Sequence, residues 1–238
     1  SAMGLVYDEA TYQETLELAA KHIDVPAFRA RQHQARQQGR YLGLGFATFS
    51  ERTGYGSPAF SARGMGVTPG WEAAEVIIDP SGNVEARIGA SPHGQGLRTA
   101  LAQIIADELG VELNRIRVLH GDTDRTPYGW GTFASRSLVI SGGATLIAAQ
   151  KLRAKLIKMA SHMLEAAPED ITLTEGEARV TGTDRSITIA TMAREAYHQT
   201  HRFNGEIDPG LSEVGHYDPS GTFSNACHVA IVEVDVET

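Results

Sequence analysis

The sequence predicts an α+β fold, a mixed sheet with packed helices, on three observations. A long stretch, Val139 to Met163, carries Leu146, Ala149, Leu152, Leu156, Met159 and Met163 at helical spacing. Two turn signals, Asp79-Pro80-Ser81-Gly82-Asn83 and Glu175-Gly176-Glu177, lie between short apolar runs and read as hairpins. Strands and helices follow one another without the regular alternation of a parallel doubly wound sheet.

The elements follow in order. Residues 8–38 read as two helices, the first with Tyr12, Leu16, Leu18, Ala19 and Ile23 as its apolar stripe. Pro26 opens the second, Ala27 to Gln38, and Gly39 closes it. Tyr41 to Phe49 alternates and reads as a strand. Residues 51–70 are rich in Gly, Ser and Pro and read as a mobile loop. Ala73 to Ile78 and Val84 to Ile88 form the first hairpin. A helix from Ala100 to Leu109 ends at Gly110, and Ile116 to Leu119 is a short buried strand. After the long helix, Ile171 to Leu173 and Ala178 to Val180 form the second hairpin, followed by a short helix, Ile189 to Tyr197. Leu211 to Tyr217 and an alternating strand, Cys227 to Val236, close the chain. The expected organisation is one domain, residues 4–238, with a helical lead-in at 8–38 and an α+β body at 40–238. Ser1-Ala2-Met3 reads as a cloning scar.

Composition excludes several classes of function. The 238 residues are 42% hydrophobic and 21% charged, as in an ordinary globular protein, and the net charge of −8 argues against a nucleic-acid binder. No apolar stretch is long enough to span a bilayer, so no membrane association is expected. The single cysteine, Cys227, rules out an internal disulfide and a cysteine metal cluster, so a reducing, cytoplasmic setting is expected. Cys227 lies in an alternating apolar strand and reads as a buried small hydrophobe.

Two helix starts carry most of the functional information. Ser91-Pro92-His93-Gly94-Gln95-Gly96-Leu97-Arg98-Thr99 leads into the helix at Ala100. Gly129-Trp130-Gly131-Thr132-Phe133-Ala134-Ser135-Arg136-Ser137 leads into the long helix. The first N–H groups of a helix have no intrahelical partner, and with the positive end of the dipole they make an anion site. Gly94 and Gly96 allow close backbone approach, the Gln95 amide donates and accepts, and Thr99 places a hydroxyl one turn on. At the second start, one helix needs one cap, yet Thr132, Ser135 and Ser137 offer three hydroxyls beside Arg136. A cation there opposes the dipole, a conflict that a bound phosphate would remove by pairing with the guanidinium. The two loops should therefore meet in space, with the strand Ile116 to Leu119 running back between the helices. Each feature also has a bland reading, as an ordinary turn or N-cap.

Other candidates carry less. Asp122 and Asp124 read as an Asx turn, because the loop lacks the Gly and terminal Glu of a calcium hand. His93 and His120 are isolated, and no HExxH, catalytic triad or nucleophile elbow stands out. Gly43-Leu44-Gly45 lies inside a strand pattern with no helix after it, so it is not a dinucleotide fingerprint.

The run His93-Gly94-Gln95-Gly96…Thr99…Ala102-Gln103-Ile104…Leu109-Gly110-Val111 resembles the large subunit of the molybdenum hydroxylases. So do Gly121-Asp122-Thr123-Asp124 and Gly131-Thr132-Phe133-Ala134-Ser135-Arg136-Ser137. This is the xanthine dehydrogenase, aldehyde oxidase and carbon monoxide dehydrogenase family. Val6-Tyr7-Asp8, Phe28-Arg29-Ala30-Arg31, Arg40-Tyr41-Leu42-Gly43, Tyr217 to Asn225 and Val232-Glu233-Val234-Asp235 extend the likeness over nearly the whole chain.

The resemblance implies an oxidoreductase that hydroxylates an aldehyde or N-heterocycle carbon, or oxidises CO, with oxygen from water. It implies a molybdenum–molybdopterin cofactor, in bacteria often the cytosine dinucleotide form. His93, Gly94, Gln95, Gly96 and Thr99, with Thr132, Phe133, Ala134, Ser135, Arg136 and Ser137, would then hold the cofactor. It implies as partners the rest of the same large subunit and iron–sulfur and FAD subunits or domains. The family's catalytic glutamate and its upstream loops near the metal have no counterpart here, so no catalytic or metal-ligating residue is assigned. The chain reads as an internal piece of a much longer subunit, without cofactor or activity when isolated, yet folding as one unit with some core surface exposed. A non-enzymatic scaffold or subunit-docking domain of the same fold is the rival reading. Another phosphate-ligand binder is a third, resting on the same helix starts.

Overall fold

The computed structural model describes residue 7, residues 10–68 and residues 70–237. The scar, Val6, Asp8, Pro69 and Thr238 lie outside the described residues. The described chain separates into two compact units, one of residues 1–53 with 222–238 and one of residues 54–221. The first boundary therefore falls after the strand that follows the lead-in helices, rather than before it.

In the smaller unit, α1 (Tyr12–Ile23) and α2 (Val25–Gln37) precede β1 (Tyr41–Thr53). Asp24 joins the helices in the left-handed conformation, and its carboxylate caps α2 by accepting from the Ala27 N–H at 3.2 Å. No residue of α1 is buried, and Leu16 and Leu18 are exposed. The half-buried positions of α1 are Tyr12, Thr15, Ala19, Ala20 and Ile23, so the true stripe runs one position off Leu16 and Leu18. Among the unit's described residues only Phe28, Ala35 and Thr53 are buried.

The larger unit begins where a mobile loop was expected. The segment holds α3 (Ser57–Ser61), whose Ala59 and Phe60 are buried. The Ser57 N–H donates to Asp218 Oδ1 at 2.7 Å. A Cβ on Gly70 would lie 1.9 Å from the Ser57 nitrogen, and one on Gly56 would lie 2.0 Å from the Pro219 oxygen. The glycines here serve close packing of backbone on backbone rather than freedom of the chain.

β2 (Glu72–Ile78) and β3 (Val84–Ile88) form the first hairpin. Asp79 Oδ1 accepts from the N–H groups of Ser81 and Asn83, and Gly82 takes φ 83°. α4 (Leu97–Leu109) then crosses to β4 (Ile116–Leu119), which pairs parallel to β3. β4 is an edge strand in the sheet and does not lie between the helices. α5 (Ser137–Leu164) follows, and then a small antiparallel sheet of β5 (Ile171–Thr174), β6 (Glu177–Val180) and β7 (Ser186–Thr188). The second expected hairpin thus gains a third strand. α6 (Ile189–His198) is capped by Thr188, whose hydroxyl accepts from the Thr191 N–H at 3.1 Å. β8 (Ser212–Tyr217) returns to pair with β2, giving the order β4-β3-β2-β8. β9 (Thr222–Val234) belongs to the smaller unit and pairs antiparallel with β1 over thirteen residues each. Cys227 on β9 is half-buried rather than buried, because this two-stranded ribbon has no second sheet over it.

One contiguous core joins the four-stranded sheet to α4, α5 and α6. On α5 the buried face runs through Ile140, Ala144, Ala148, Leu152, Leu156 and Met159. Leu146, expected on that face, is 37% exposed and points the other way. Residues 141–149 are nearly all small or apolar, so periodicity alone does not orient this half of the helix. Close approach of the helix to the sheet does. A Cβ on Gly215 of β8 would lie 2.0 Å from the Ala144 oxygen, and one on Gly143 would lie 2.3 Å from the Tyr217 ring.

Gly215→Ala should therefore force α5 off the sheet and destabilise the larger unit by about 1–3 kcal/mol or more, measured by urea denaturation. In the smaller unit, the Arg40 guanidinium makes a bidentate pair with Glu233, both bonds at 2.7 Å. That hydrogen bond, aided by charge attraction, holds the exposed Glu233 carboxyl below its ordinary range. The pair's contribution is present above the unfolded carboxylate pKa and is lost as pH falls through the lower folded value. Arg40→Ala should raise the Glu233 titration midpoint, observed by carbon-detected NMR of the carboxyl.

Candidate cofactor-binding cleft

The loop from β3 into α4 is shaped by glycine. Gly94 (φ 97°) and Gly96 (φ 82°) sit in the left-handed region, with open space where a side chain would be. Gly96 is the N-cap of α4 and offers no side chain to the helix end. The Ala100 N–H, bonded to the Gly96 carbonyl at 3.1 Å, starts the helical ladder, which leaves the N–H groups of Leu97, Arg98 and Thr99 without helical acceptors. Gln95 Oε1 accepts from the His93 N–H at 2.6 Å, which fixes the carboxamide and turns its other end into a donor.

The second loop starts as the Asx turn expected at Asp122. Its Oδ1 accepts from the Asp124 N–H at 3.1 Å, and its carbonyl accepts from the Thr126 N–H and hydroxyl. Among the described residues no three His, Cys, Asp or Glu side chains gather to hold a metal ion. The loop ends on two consecutive left-handed residues that are not glycine, Ala134 (φ 47°) and Ser135 (φ 52°). Such a pair is uncommon and marks a loop whose conformation is imposed by its surroundings. The first helical bond of α5 runs from the Ile140 N–H to the Arg136 carbonyl at 2.9 Å, so the Ser137, Leu138 and Val139 N–H groups have no helical acceptors.

The two loops meet, as the helix starts suggest. Thr132 Oγ1 donates to the Ser91 carbonyl at 2.5 Å, and Ser137 Oγ donates to Thr132 Oγ1 at 2.8 Å. A cleft of about 460 Å³ lies between them, lined by His93, Gln95 and Leu97 from one side and Thr132 to Leu138 from the other. Thr99 is not part of it. It lines a separate depression with Arg98, Ile116 and Arg117, because one turn of helix carries its side chain round to the β4 side. The Thr132 hydroxyl binds the loops to each other, and the Ser137 hydroxyl braces Thr132 from within the second loop.

Arg136 departs most from the expectation. It is neither a surface arginine nor dependent on a phosphate for a counter-charge, since it is fully buried and paired with Glu72, which is also fully buried. Its Nη1 donates to Glu72 Oε1 and, at 2.7 Å, to the Gly131 carbonyl, while Nη2 donates to the Gly70 carbonyl at 2.5 Å. Glu72 Oε1 also accepts from the Trp130 N–H at 2.8 Å. With the guanidinium neutralised inside the protein, attraction for an anion rests on backbone N–H groups and two helix dipoles. Sequence reasoning missed Glu72, an acid just before the run Ala73 to Ile78 that nothing nearby distinguishes from Glu75.

The starts of two helices thus border one cleft at the edge of an α+β unit. Residues 18–238 match the molybdopterin cofactor-binding domain. The chain is 38% identical to the nicotine 6-hydroxylase large subunit of Paenarthrobacter nicotinovorans and 37% to the carbon monoxide dehydrogenase large chain of Hydrogenophaga pseudoflava. Each comparison covers 99% of this chain and 29% of the relative. Among solved structures, quinoline 2-oxidoreductase from Pseudomonas putida 86 superposes with a TM-score of 0.85 at 38% identity, over 99% of this chain and 30% of that one. The chain belongs to the molybdopterin cofactor-binding domain family and spans about 30% of the length of these relatives.

Thr132→Val should break the hydroxyl link to Ser91 between the loops and the Ser137 bond within the second, at a cost of roughly 1 kcal/mol per bond. The check is a denaturant midpoint together with loss of the NOEs that connect residues 91 and 132.

Proposed function

We propose that this domain holds one side of a molybdenum–molybdopterin cofactor, in its cytosine dinucleotide form, within a larger hydroxylase subunit. The single observation that carries the reading is the cleft in which the Gly94–Gly96 turn and the Thr132–Ser137 loop face each other. The fit is chemical as well as spatial. Leu97 at one helix start and Ser137 and Leu138 at the other line the cleft with N–H groups that lack helical acceptors, which suits a phosphate group. Gln95 donates from its amide, and the open space at Gly94 and Gly96 admits a ligand against bare backbone. His93 and the half-exposed Phe133 ring form walls of the cleft.

The cofactor, when bound, supplies the two-electron redox centre at which a carbon is hydroxylated or CO oxidised with oxygen from water. This chain's residues bind and orient it and exclude solvent from its phosphate end. Relatives named for nicotine, quinoline and carbon monoxide support an oxidoreductase acting on an N-heterocycle or CO. Iron–sulfur and FAD subunits as electron-transfer partners belong to the same reading, supported by relatives that are named as subunits of complexes. A cytoplasmic setting for the intact enzyme rests on a single cysteine in 238 residues. At about 30% of the length of these relatives, the chain taken alone offers one side of the cradle. The isolated chain is therefore inactive and holds no cofactor.

Titration with cytidine diphosphate should shift the backbone amide resonances of residues 93–99 and 132–139 together, with weak affinity. Shifts confined to one loop, or none, would refute the shared-cleft reading. Purified chain offered aldehydes, purines or CO with a dye acceptor should show no turnover.

A further inference from the structure

We infer that Glu72 is a positioning residue for the cleft, acting through Arg136 as an internal, charge-neutral clamp that presets the second loop before any ligand arrives. The inference rests on the cofactor-cleft reading above and adds to it a residue outside both loops. Glu72 lies at the start of β2, sixty-four positions from Arg136, and both side chains are 0% exposed. Together they fasten three pieces of chain. Arg136 reaches the Gly70 and Gly131 carbonyls, and Glu72 takes the Trp130 N–H. The packing leaves the carboxylate nowhere else to go, because a Cβ on Gly129 would lie 2.0 Å from Glu72 Oε2.

The strained part of the loop lies between these anchors. Ala134 and Ser135 occupy the left-handed region between Gly131, held by Arg136, and Arg136 itself, which begins α5. Fixing both ends imposes that turn, and the turn sets Ser137 and Leu138, at the start of α5, in the wall of the cleft. The guanidinium also lies 5.0 Å from the centroid of the Phe133 ring and sets that wall of the cleft. A cation at a helix N-terminus opposes the dipole, and Glu72 cancels that charge. Arg136 therefore shapes the anion site without being its ligand.

This predicts a sign that a ligand role would reverse. Glu72→Gln leaves a positive charge beside the cleft, so a direct anion ligand would bind tighter, whereas a clamp loses its hold and binds weaker. Arg136→Lys keeps the charge but cannot reach Glu72, Gly131 and Gly70 at once. The measurement is the affinity of the full chain for cytidine diphosphate and for inorganic phosphate, alongside the HN–Hα couplings of Ala134 and Ser135 without ligand. Both variants should weaken binding by about 10–100-fold, as for other residues that orient a binding group, and shift both couplings away from left-handed values. Glu72→Asp should recover part of the affinity. Met192→Ala, which leaves a cavity under α6 in the same core, should leave affinity unchanged and so separates positioning from stability. If the charged single variants do not fold, Glu72→Gln with Arg136→Met removes the unpaired charge and should still bind weakly. Unchanged or tighter binding in Glu72→Gln, retained affinity in Arg136→Lys, or wild-type affinity in the double variant would overturn the clamp. If the wild type binds neither probe, the cofactor reading fails, and the couplings alone decide the clamp, which falls if they do not move.

Discussion

The close approach of α5 to the central sheet is the constraint from which the rest of the larger unit follows. At Gly215 the helix backbone comes so near to β8 that no side chain fits between them. Small residues on α5, Ala144 and Ala148, face the sheet there, and bulkier Leu152, Leu156 and Met159 fill the core further along. Interiors are close-packed, so this contact fixes the position of the helix along the sheet as well as its distance from it. The start of α5 is thereby delivered to the loop that follows β3, where α4 also begins. Two helix N-termini share one cleft because one helix is pinned and the other packs against it.

Electrostatics in that cleft follow a different plan from the one the residue types suggest. Arginine beside serine and threonine at a helix start invites a phosphate ligand. Here the charge is satisfied internally by Glu72, the Thr132 hydroxyl links loop to loop, and the Ser137 hydroxyl holds Thr132. What remains to greet an anion is backbone. A buried ion pair is seldom a large source of stability, since desolvation offsets attraction. Its value here lies in direction, because the fork of Arg136 holds two carbonyls and a carboxylate at fixed angles.

The smaller unit shows a complementary economy. Two helices and a long two-stranded ribbon bury few of their described residues, while Tyr41, Phe49, Val232 and Val234 stay exposed. A lone two-stranded ribbon is marginal in water. Its persistence depends on the helices packed along it and on ordered side-chain links such as Tyr12 to Ser50 at 2.7 Å and Arg40 to Glu233. Unburied apolar area of this kind accords with a chain that spans about 30% of its relatives' length.

Local chemistry made much of this legible in the sequence. The Asp79–Asn83 turn, the Gly110 helix end, the long helix and the two glycine-shaped helix starts could each be read from neighbouring residues, because turns, caps and periodicity act over a few positions. The meeting of the two loops could be expected from the anion chemistry they share. What the sequence left undecided depends on contacts between residues far apart. Pairing of β8 with β2 and of β9 with β1 has no local signal, since any alternating strand can pair with another. The orientation of α5 over residues 141–149 was open, because small apolar residues surround the helix there, and only the fit against Gly215 and Tyr217 chose a face. Thr99 looked like part of the site until helix geometry turned it toward β4. Arg136 read as exposed because its partner lies sixty-four positions away, and only the folded chain brings a buried carboxylate beneath it.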